Sequence, residues 1–166
     1  YEFCVDWGDG SSDCITSYDE PETTHTYSTA GVYTVKIWGT LDGWSAKDNG
    51  DKDKLIEIQK WGCLNPGNTG YQFDGCSNLV ITANDAPDMN GVTNLYAMFR
   101  GCSSIGSTGD MNSWDVSAVT TMESMFSGAT NFNQAIGNWD VSAVTTMKSM
   151  FNGATNFNQA IGSWDV

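Results

Sequence analysis

The sequence predicts a mixed fold, in which part of a small β-sandwich is followed by a solenoid with coils of about 25 residues. Two observations lead to this prediction. Apolar and polar residues alternate between turn residues in the first part of the chain, and residues 114–138 recur almost unchanged at 139–163. The chain therefore divides into a sandwich portion at 1–41, a linker and lead-in strand at 42–63, and the solenoid at 64–166.

The N-terminal segment has the pattern of short antiparallel strands. Residues 3–7 alternate apolar with polar side chains, as in a half-buried strand. Residues 8–11 follow as a turn signal rich in glycine and aspartate. A second alternation at 32–38 and a short β-prone run at 24–27 complete the pattern, which favours a small sandwich over a helical domain.

Three sequence blocks in this segment carry a family resemblance. VDWGDGS at 5–11, THTY at 24–27 and AGVYTV at 30–35 resemble the signature of polycystic-kidney-disease (PKD) domains. The resemblance implies an immunoglobulin-like β-sandwich in an extracellular protein, with His25 packed or hydrogen-bonded at a strand start. The first strands of that family would lie before Tyr1, so the resemblance also implies an N-terminally incomplete domain.

The C-terminal part of the chain is a tandem repeat. The segments 114–138 and 139–163 differ at only three positions, and WDV at 164–166 begins another copy. Diverged copies precede them, because the MF and GCS motifs recur upstream at offsets of 27 and 26 residues. A period of this size is typical of one solenoid coil, which cannot bury its apolar side alone. The coils are predicted near 64–88, 89–113, 114–138 and 139–163, with the next beginning at 164.

The repeat itself resembles a known family. The pattern WDVS-x-VT-x-M-x-x-MF-x-GA-x-x-FN-x-x-I is similar to the 26-residue repeat of bacterial surface proteins, which is grouped with BspA-like leucine-rich repeats. The resemblance covers roughly 71–166, and residues 54–62 resemble the lead-in to such repeats. It implies a leucine-rich-repeat-like fold and a non-enzymatic protein at the cell surface, usually with a role in adhesion.

The recurring apolar residues are predicted to point inward and to stack on their copies. Their spacing predicts a short helix or 3₁₀ stretch at 119–126, and a short strand at 132–136 in a parallel ladder. The tryptophan column has two interpretations, a packing post in the core or an exposed strip on which sugars stack. The predicted core and ladder residues are Trp114, Trp139, Trp164, Met125, Phe126, Met150, Phe151, Phe132 and Phe157.

Two sets of carboxylates are candidate sites. Both have the same two interpretations: they shape turns or cap backbone N–H groups, or they bind Ca²⁺, which takes several carboxylate oxygens. No other cofactor is predicted. The sets are Asp6, Asp9 and Asp13 near the N-terminal turn, and Asp115, Asp140 and Asp165 at one position of successive repeats.

Five cysteines allow disulfides. Cys4 and Cys14 lie symmetrically about the predicted turn and face each other across a hairpin. Cys76 and Cys102 hold the same repeat position, so they either form a disulfide between coils or stay reduced in the core. Cys63 is left over. An extracellular location, which both resemblances imply, would permit oxidation.

Composition argues against several classes of function. With 20 acidic and 7 basic residues, the net charge of −13 argues against binding to nucleic acid or to anionic membranes. No apolar run reaches the roughly 18 residues of a membrane span. The sequence shows no nucleophile–base pair, metal cluster or phosphate loop, which predicts a protein without enzymatic activity.

Two functions follow from these patterns. The first is an extracellular structural or adhesion protein at the cell surface, whose partners are copies of itself, other surface proteins or glycans. The alternative is a carbohydrate- or Ca²⁺-dependent binding module that accompanies a secreted enzyme. A solenoid that stops at Val166 without a polar cap predicts that the chain continues or that this face packs against another subunit.

Overall fold

The computed structural model describes residues 2–46 and 50–165, which belong to two units, Tyr1–Asp42 and Gly43–Val166. The predicted strand start at Tyr1, the predicted open end at Val166 and positions 47–49 of the predicted linker lie outside the described residues.

Helical structure in the described residues is limited to two 3₁₀ turns, Pro21–Thr23 and Lys52–Lys54. Neither has the length or the hydrophobicity of a membrane span.

The N-terminal unit contains one antiparallel sheet of three strands. Strand β1 (Glu2–Asp6) lies between β2 (Ser12–Ile15) and β3 (Lys36–Thr40). In this register Cys4 lies opposite both Cys14 and Trp38. Because it pairs on both sides, β1 is the central strand of the sheet.

The turn between β1 and β2 depends on glycine. Gly8 and Gly10 have φ angles of +82° and +94°, which L-residues rarely adopt. A Cβ atom on Gly8 would lie 2.6 Å from the carbonyl oxygen of Thr34. Only glycine allows this close approach, which brings the segment before β3 against the turn.

The predicted sandwich is wrong, because the described residues of the N-terminal unit supply a single sheet. Residues 24–27 form no strand, and the predicted strand at 32–38 begins only at Lys36. The physical reason is that Tyr27 stacks on Tyr33, with ring centroids 4.1 Å apart, and donates its hydroxyl to the carbonyl of Trp7 at 2.9 Å. These contacts hold the segment beside the turn and away from a second sheet.

The C-terminal unit contains little regular structure. Strands β4 (Glu57–Ile58) and β5 (Val80–Ile81) pair in parallel. Further along, single parallel bridges link Asn94 to Thr121 and Thr121 to Thr146. The described repeats otherwise consist of turns.

The predicted leucine-rich-repeat-like solenoid is also wrong. Residues 119–126 contain a turn at 123–126 and no helix, and 132–136 form no strand. The reason for the missing helix lies in the backbone, since Ala97, Ser124 and Ser149 have φ angles of +52°, +58° and +57° at equivalent positions. A left-handed residue at this position interrupts any right-handed helix.

This strained position gives a first prediction. We expect Ser124→Val to lower the free energy of unfolding by about 1–3 kcal/mol, because a β-branched residue is strongly disfavoured at positive φ. Chemical denaturation followed by tryptophan fluorescence measures the loss. Ser127→Val, three residues further on and outside the positive-φ set, is the matched control. Equal losses at both positions would contradict the explanation.

Candidate functional site

Neighbouring repeats are joined by a ladder of backbone hydrogen bonds. Alternate residues of one repeat donate their N–H groups to alternate carbonyls of the next, over distances of 2.7–3.0 Å. The residues between the donors bond within their own turn, to the carbonyl three residues earlier. The donor and acceptor pairs at one junction are Met122 with Thr146, Ser124 with Lys148, Phe126 with Met150, and Gly128 with Asn152.

Aromatic rings stack along the same direction as the ladder. One column runs through Phe73, Phe99, Phe126 and Phe151, with centroid distances of 5.5, 5.7 and 5.9 Å. Phe132 and Phe157 form a second, shorter stack at 5.5 Å. Met125, Phe126 and Phe132 are fully buried, whereas Phe151 and Phe157 are half-buried in the last described repeat.

The tryptophan column lies in the core. Trp114, Trp139 and Trp164 follow one another at centroid distances of 6.3 Å, and the first two are 3% exposed. The indole N–H of Trp139 donates to the carbonyl of Met111 at 2.7 Å. The faces of Trp114 and Trp139 are too buried for a sugar to stack on them, so these two residues pack in the core, whereas Trp164 is half-buried.

These junctions lie in the part of the chain that a known family describes. The family model for "Mycoplasma protein of unknown function, DUF285" matches residues 67–166, more than half of the chain. The chain belongs to the DUF285 family. No curated protein and no solved structure matches it. The resemblance to surface-protein repeats is confirmed in this coarse form, while neither a PKD nor a BspA-like family is matched.

The aspartates repeated along the DUF285 units form turns. Asp115 accepts hydrogen bonds from the hydroxyl and the N–H of Ser117 at 2.6 and 3.1 Å, and Asp140 does the same with Ser142. The serine hydroxyl is the main cause that lowers the pKa of each carboxyl. Asp165 occupies the equivalent position and is exposed. Asp115 and Asp140 therefore cap turns and not helices.

The N-terminal carboxylates each have a different partner. Asp6 accepts from the N–H of Gly8 at 2.9 Å, and Asp13 accepts from the indole of Trp7 at 2.6 Å. Asp9 accepts from Ser11 and lies 2.9 Å from the imidazole of His25. Among the described residues, no three histidine, cysteine or acidic side chains converge in a way that could hold a metal ion.

His25, the only histidine of the chain, serves as a packing group. Its ring stacks on Trp7 at 4.7 Å and meets Tyr27 edge-on at 4.6 Å. The hydroxyl of Ser11 donates to the same carboxylate, Asp9, that contacts His25. Because this hydroxyl points to the acid and not to the imidazole, the group lacks the nucleophile–base contact of a hydrolase.

The Asp9 contacts predict a pH effect. The hydrogen bonds from Ser11, first that of its hydroxyl, lower the pKa of Asp9 from 3.8 to about 2, and His25 adds to this effect. Between these two values the unfolded chain binds a proton that the folded chain does not. The stability that Asp9 contributes is therefore present above pH 3.8 and is lost as the pH falls to about 2.

An NMR titration of the Asp9 carboxyl carbon measures this directly, and we expect its midpoint at about pH 2. Ser11→Ala removes the hydroxyl donor and should move the midpoint toward 3.8. A midpoint that is already near 3.8 in the unaltered protein would contradict the prediction.

The cysteines divide into three kinds. Cys4 and Cys14 form a disulfide across β1 and β2, with Cα atoms 3.9 Å apart. Cys76 and Cys102 form no disulfide and are fully buried thiols, so of the two alternatives the structure has the reduced one. Burial raises the pKa of Cys76 to about 11 and that of Cys102 well above its usual range. Cys63 is exposed to solvent.

The sequence reasoning missed an ion pair between repeats. Arg100 donates from Nε and Nη2 to the two carboxylate oxygens of Asp74 at 2.8 and 2.7 Å. Its guanidinium also lies 5.2 Å from the ring centroid of Tyr71. Asp74 is 7% exposed, so the pair neutralises a nearly buried charge. The signal that could have found it is the spacing of 26 residues, which equals the local repeat offset.

Proposed function

We propose that this chain is a structural or adhesion part of an extracellular surface protein, in which the DUF285 repeats provide reach and contact with other molecules. The observation that carries the proposal is the uniformity of the repeat junctions. The same ladder and the same stacked rings recur from one junction to the next. A regular surface of this kind suits contact and assembly, since it offers no singular position for chemistry.

The disulfide supports an extracellular location. Disulfides persist in oxidising compartments and are rare in the cytosol. Cys4 and Cys14 face each other across the hairpin that β1 and β2 form in the N-terminal sheet. The surface-protein repeat resemblance, here in its finer BspA-like form, points to the same location.

The proposal is of a protein without enzymatic activity. The groups of the kinds that act in catalysis have structural roles here: His25 and Asp9 pack in the turn, and the Cys76 and Cys102 thiols are buried with raised pKa values. Thiols in that state are poor nucleophiles. The net charge of −13 favours partners such as surface proteins or neutral glycans over polyanions.

The alternative, a carbohydrate- or Ca²⁺-dependent module, has no observation in its favour. That alternative depended on the tryptophan column to bind sugars and on the two aspartate sets to bind Ca²⁺. Trp114 and Trp139 are buried, and Asp115 and Asp140 cap turns. Asp6, Asp9 and Asp13 each have a different hydrogen-bond partner.

Antibody labelling tests the location. Antibodies raised against the chain should label intact, unpermeabilised cells of the source organism. Immobilised chain should also retain a surface protein, matrix protein or glycan from an array, without need of Ca²⁺. Labelling only after permeabilisation would contradict the proposal, and retention that needs Ca²⁺ would favour the alternative.

A further inference from the structure

A groove opens between two neighbouring repeats at one corner of the array. Residues 86–91 form one wall, and Ser113, Asp115 and Ala118 form the other, around a volume of about 430 Å³. This volume lies within the usual range of ligand sites. The name "corner groove" is used below for this volume and the residues that line it. Both walls are followed by at least one further repeat, so the groove lies within the array.

The sequences of the two walls explain why the groove lies at this corner. The walls are equivalent segments, because in each an aspartate accepts a hydrogen bond from the N–H group two residues later, at 3.0 Å for Asp88 and 3.1 Å for Asp115. In this alignment Pro87 occupies the position that Trp114 has in the next repeat. The proline ring is much smaller than an indole. The tryptophan column therefore ends at Trp114 and leaves space beside Pro87.

The corner also lacks a hydrogen bond that joins the later repeats. The indole N–H of Trp139 donates to the carbonyl of Met111 at 2.7 Å, and that of Trp164 donates to the carbonyl of Ile136 at 3.2 Å. The indole N–H of Trp114 has no acceptor in the part of the chain that the structure describes. This corner therefore differs from the uniform corners that follow it.

The corner groove combines apolar surface with two carboxylates. Pro87, Met89 and Ala118 supply the apolar surface. The carboxylates belong to Asp88 and Asp115, which are both exposed. The Oδ1 atom of each accepts the hydrogen bond of its own turn, whereas the Oδ2 atom accepts none from the described residues. One oxygen of each carboxylate is thus available to a ligand.

The chain itself does not compensate the negative charge of the groove. The part matched by the family model holds eight acidic side chains and two basic ones, Arg100 and Lys148. Arg100 is bound to Asp74. Among the described residues, no basic side chain forms an ion pair with either carboxylate of the groove. A cationic group from another molecule would supply the missing charge.

The lining residues indicate which kind of cation fits. No three metal-binding side chains converge in the described ranges, so the two carboxylates do not make a Ca²⁺ site. None of the described lining residues is aromatic, so a sugar has no ring on which to stack. A lysine side chain matches both parts of the groove. Its hydrocarbon stem packs on apolar surface while its ammonium group donates to carboxylates.

We propose that the corner groove binds a lysine side chain on the surface of a partner protein. The ammonium group lies between Asp88 and Asp115 and donates to their Oδ2 atoms. The stem packs on Pro87, Met89 and Ala118. This inference rests on the proposed role in contact with other surface proteins, and it names the chemistry by which the partner is recognised.

The test uses the full chain, labelled with ¹⁵N, and three short peptides that differ in one side chain. NMR titration with acetyl-Gly-Lys-Gly-amide should shift the backbone amide signals of Asn90, Gly91 and Ala118. We expect a dissociation constant on the order of 1–10 mM, because a single exposed ion pair contributes little free energy.

The other two peptides separate the charge from the stem. Acetylation of the lysine side chain removes the charge and should abolish the shifts. Diaminopropionic acid in place of lysine keeps the charge but shortens the stem, and should weaken binding at least about threefold. Equal shifts from all three peptides would overturn the proposal.

Two aspartate variants at the same repeat position serve as a matched pair. Asp88→Asn removes one carboxylate of the groove but keeps an amide oxygen for the turn, and should weaken binding of the lysine peptide about fivefold. Asp140→Asn makes the same change outside the groove and should change the dissociation constant less than about twofold. Equal weakening in both variants, each verified as folded by circular dichroism, would show general attraction to an acidic surface and would overturn the groove as the site.

Titration with lactose covers the other class of occupant. Shifts of the same amide signals with lactose, without shifts from the lysine peptide, would overturn the lysine site and assign the groove to a sugar. Labelling of intact cells is independent of these results, so the surface role and the lysine site can fail separately.

Discussion

Phe126→Ala is expected to lower the free energy of unfolding of the repeat array by about 3–5 kcal/mol, the usual cost of removing a buried phenylalanine. The side chain of Phe126 is fully buried. Its ring centroid lies 5.7 and 5.9 Å from those of the rings on either side and 3.8 Å from that of Phe132. Its loss leaves a cavity that the stacked repeats cannot close, because backbone ladders fix their spacing. Denaturation in urea, followed by tryptophan fluorescence, measures the effect.

Phe151→Ala is the matched control, since Phe151 occupies the same position in a nearly identical repeat. Its ring is half-buried, so we expect a loss of no more than about half as much. If both variants lost the same stability, the stacking of repeats in this order would be contradicted.

Removal of the disulfide is expected to lower the free energy of unfolding of the N-terminal unit by about 2–3 kcal/mol. The bond between Cys4 and Cys14 closes a short loop and so limits the unfolded chain. It also joins β1 to β2 in a unit with few buried side chains, among them Val5 and Ile15. In so small a core this loss is a large part of the total stability. Thermal unfolding of a Cys4→Ala/Cys14→Ala variant, followed by circular dichroism, measures it.

Cys63→Ser is the control for this variant, because the residue is exposed and lies in the other unit. It should leave the unfolding of the N-terminal unit unchanged. An N-terminal unit that is equally stable without the disulfide would show that the turn and its aromatic contacts suffice.

Patterns of side chains predicted the N-terminal hairpin well and the backbone of the repeats poorly. The alternation at 3–7 and the glycine turn identified β1 and its neighbour because both depend on local sequence. The strand predicted at 32–38 starts late, since tyrosine stacking competes with the sheet. For the repeats, the spacing of Val119, Met122 and Phe126 is typical of a helix. It does not reveal the positive φ at Ser124, a residue for which such a conformation is unusual.

At the repeat junctions, too, some features could be predicted from the sequence and others could not. Tandem identity was sufficient to predict that copies of Phe126 and Trp139 contact each other, because equivalent residues of stacked repeats meet. It could not show that alternate backbone N–H groups form the hydrogen bonds between repeats, since the sequence does not indicate which N–H groups donate across a junction. The ion pair of Asp74 and Arg100 could have been predicted, because stacking brings together opposite charges that lie one repeat apart.

The positions at which the two nearly identical repeats differ have a consequence for how such a protein changes over time. Glu123 and Lys148, Ser127 and Asn152, and Asn138 and Ser163 are the only differences, and none of these residues is buried. Every junction between such repeats therefore buries the same side chains. A gene that gains or loses one whole copy by recombination changes the length of the protein in steps of 25 residues, and each product keeps junctions that already fit.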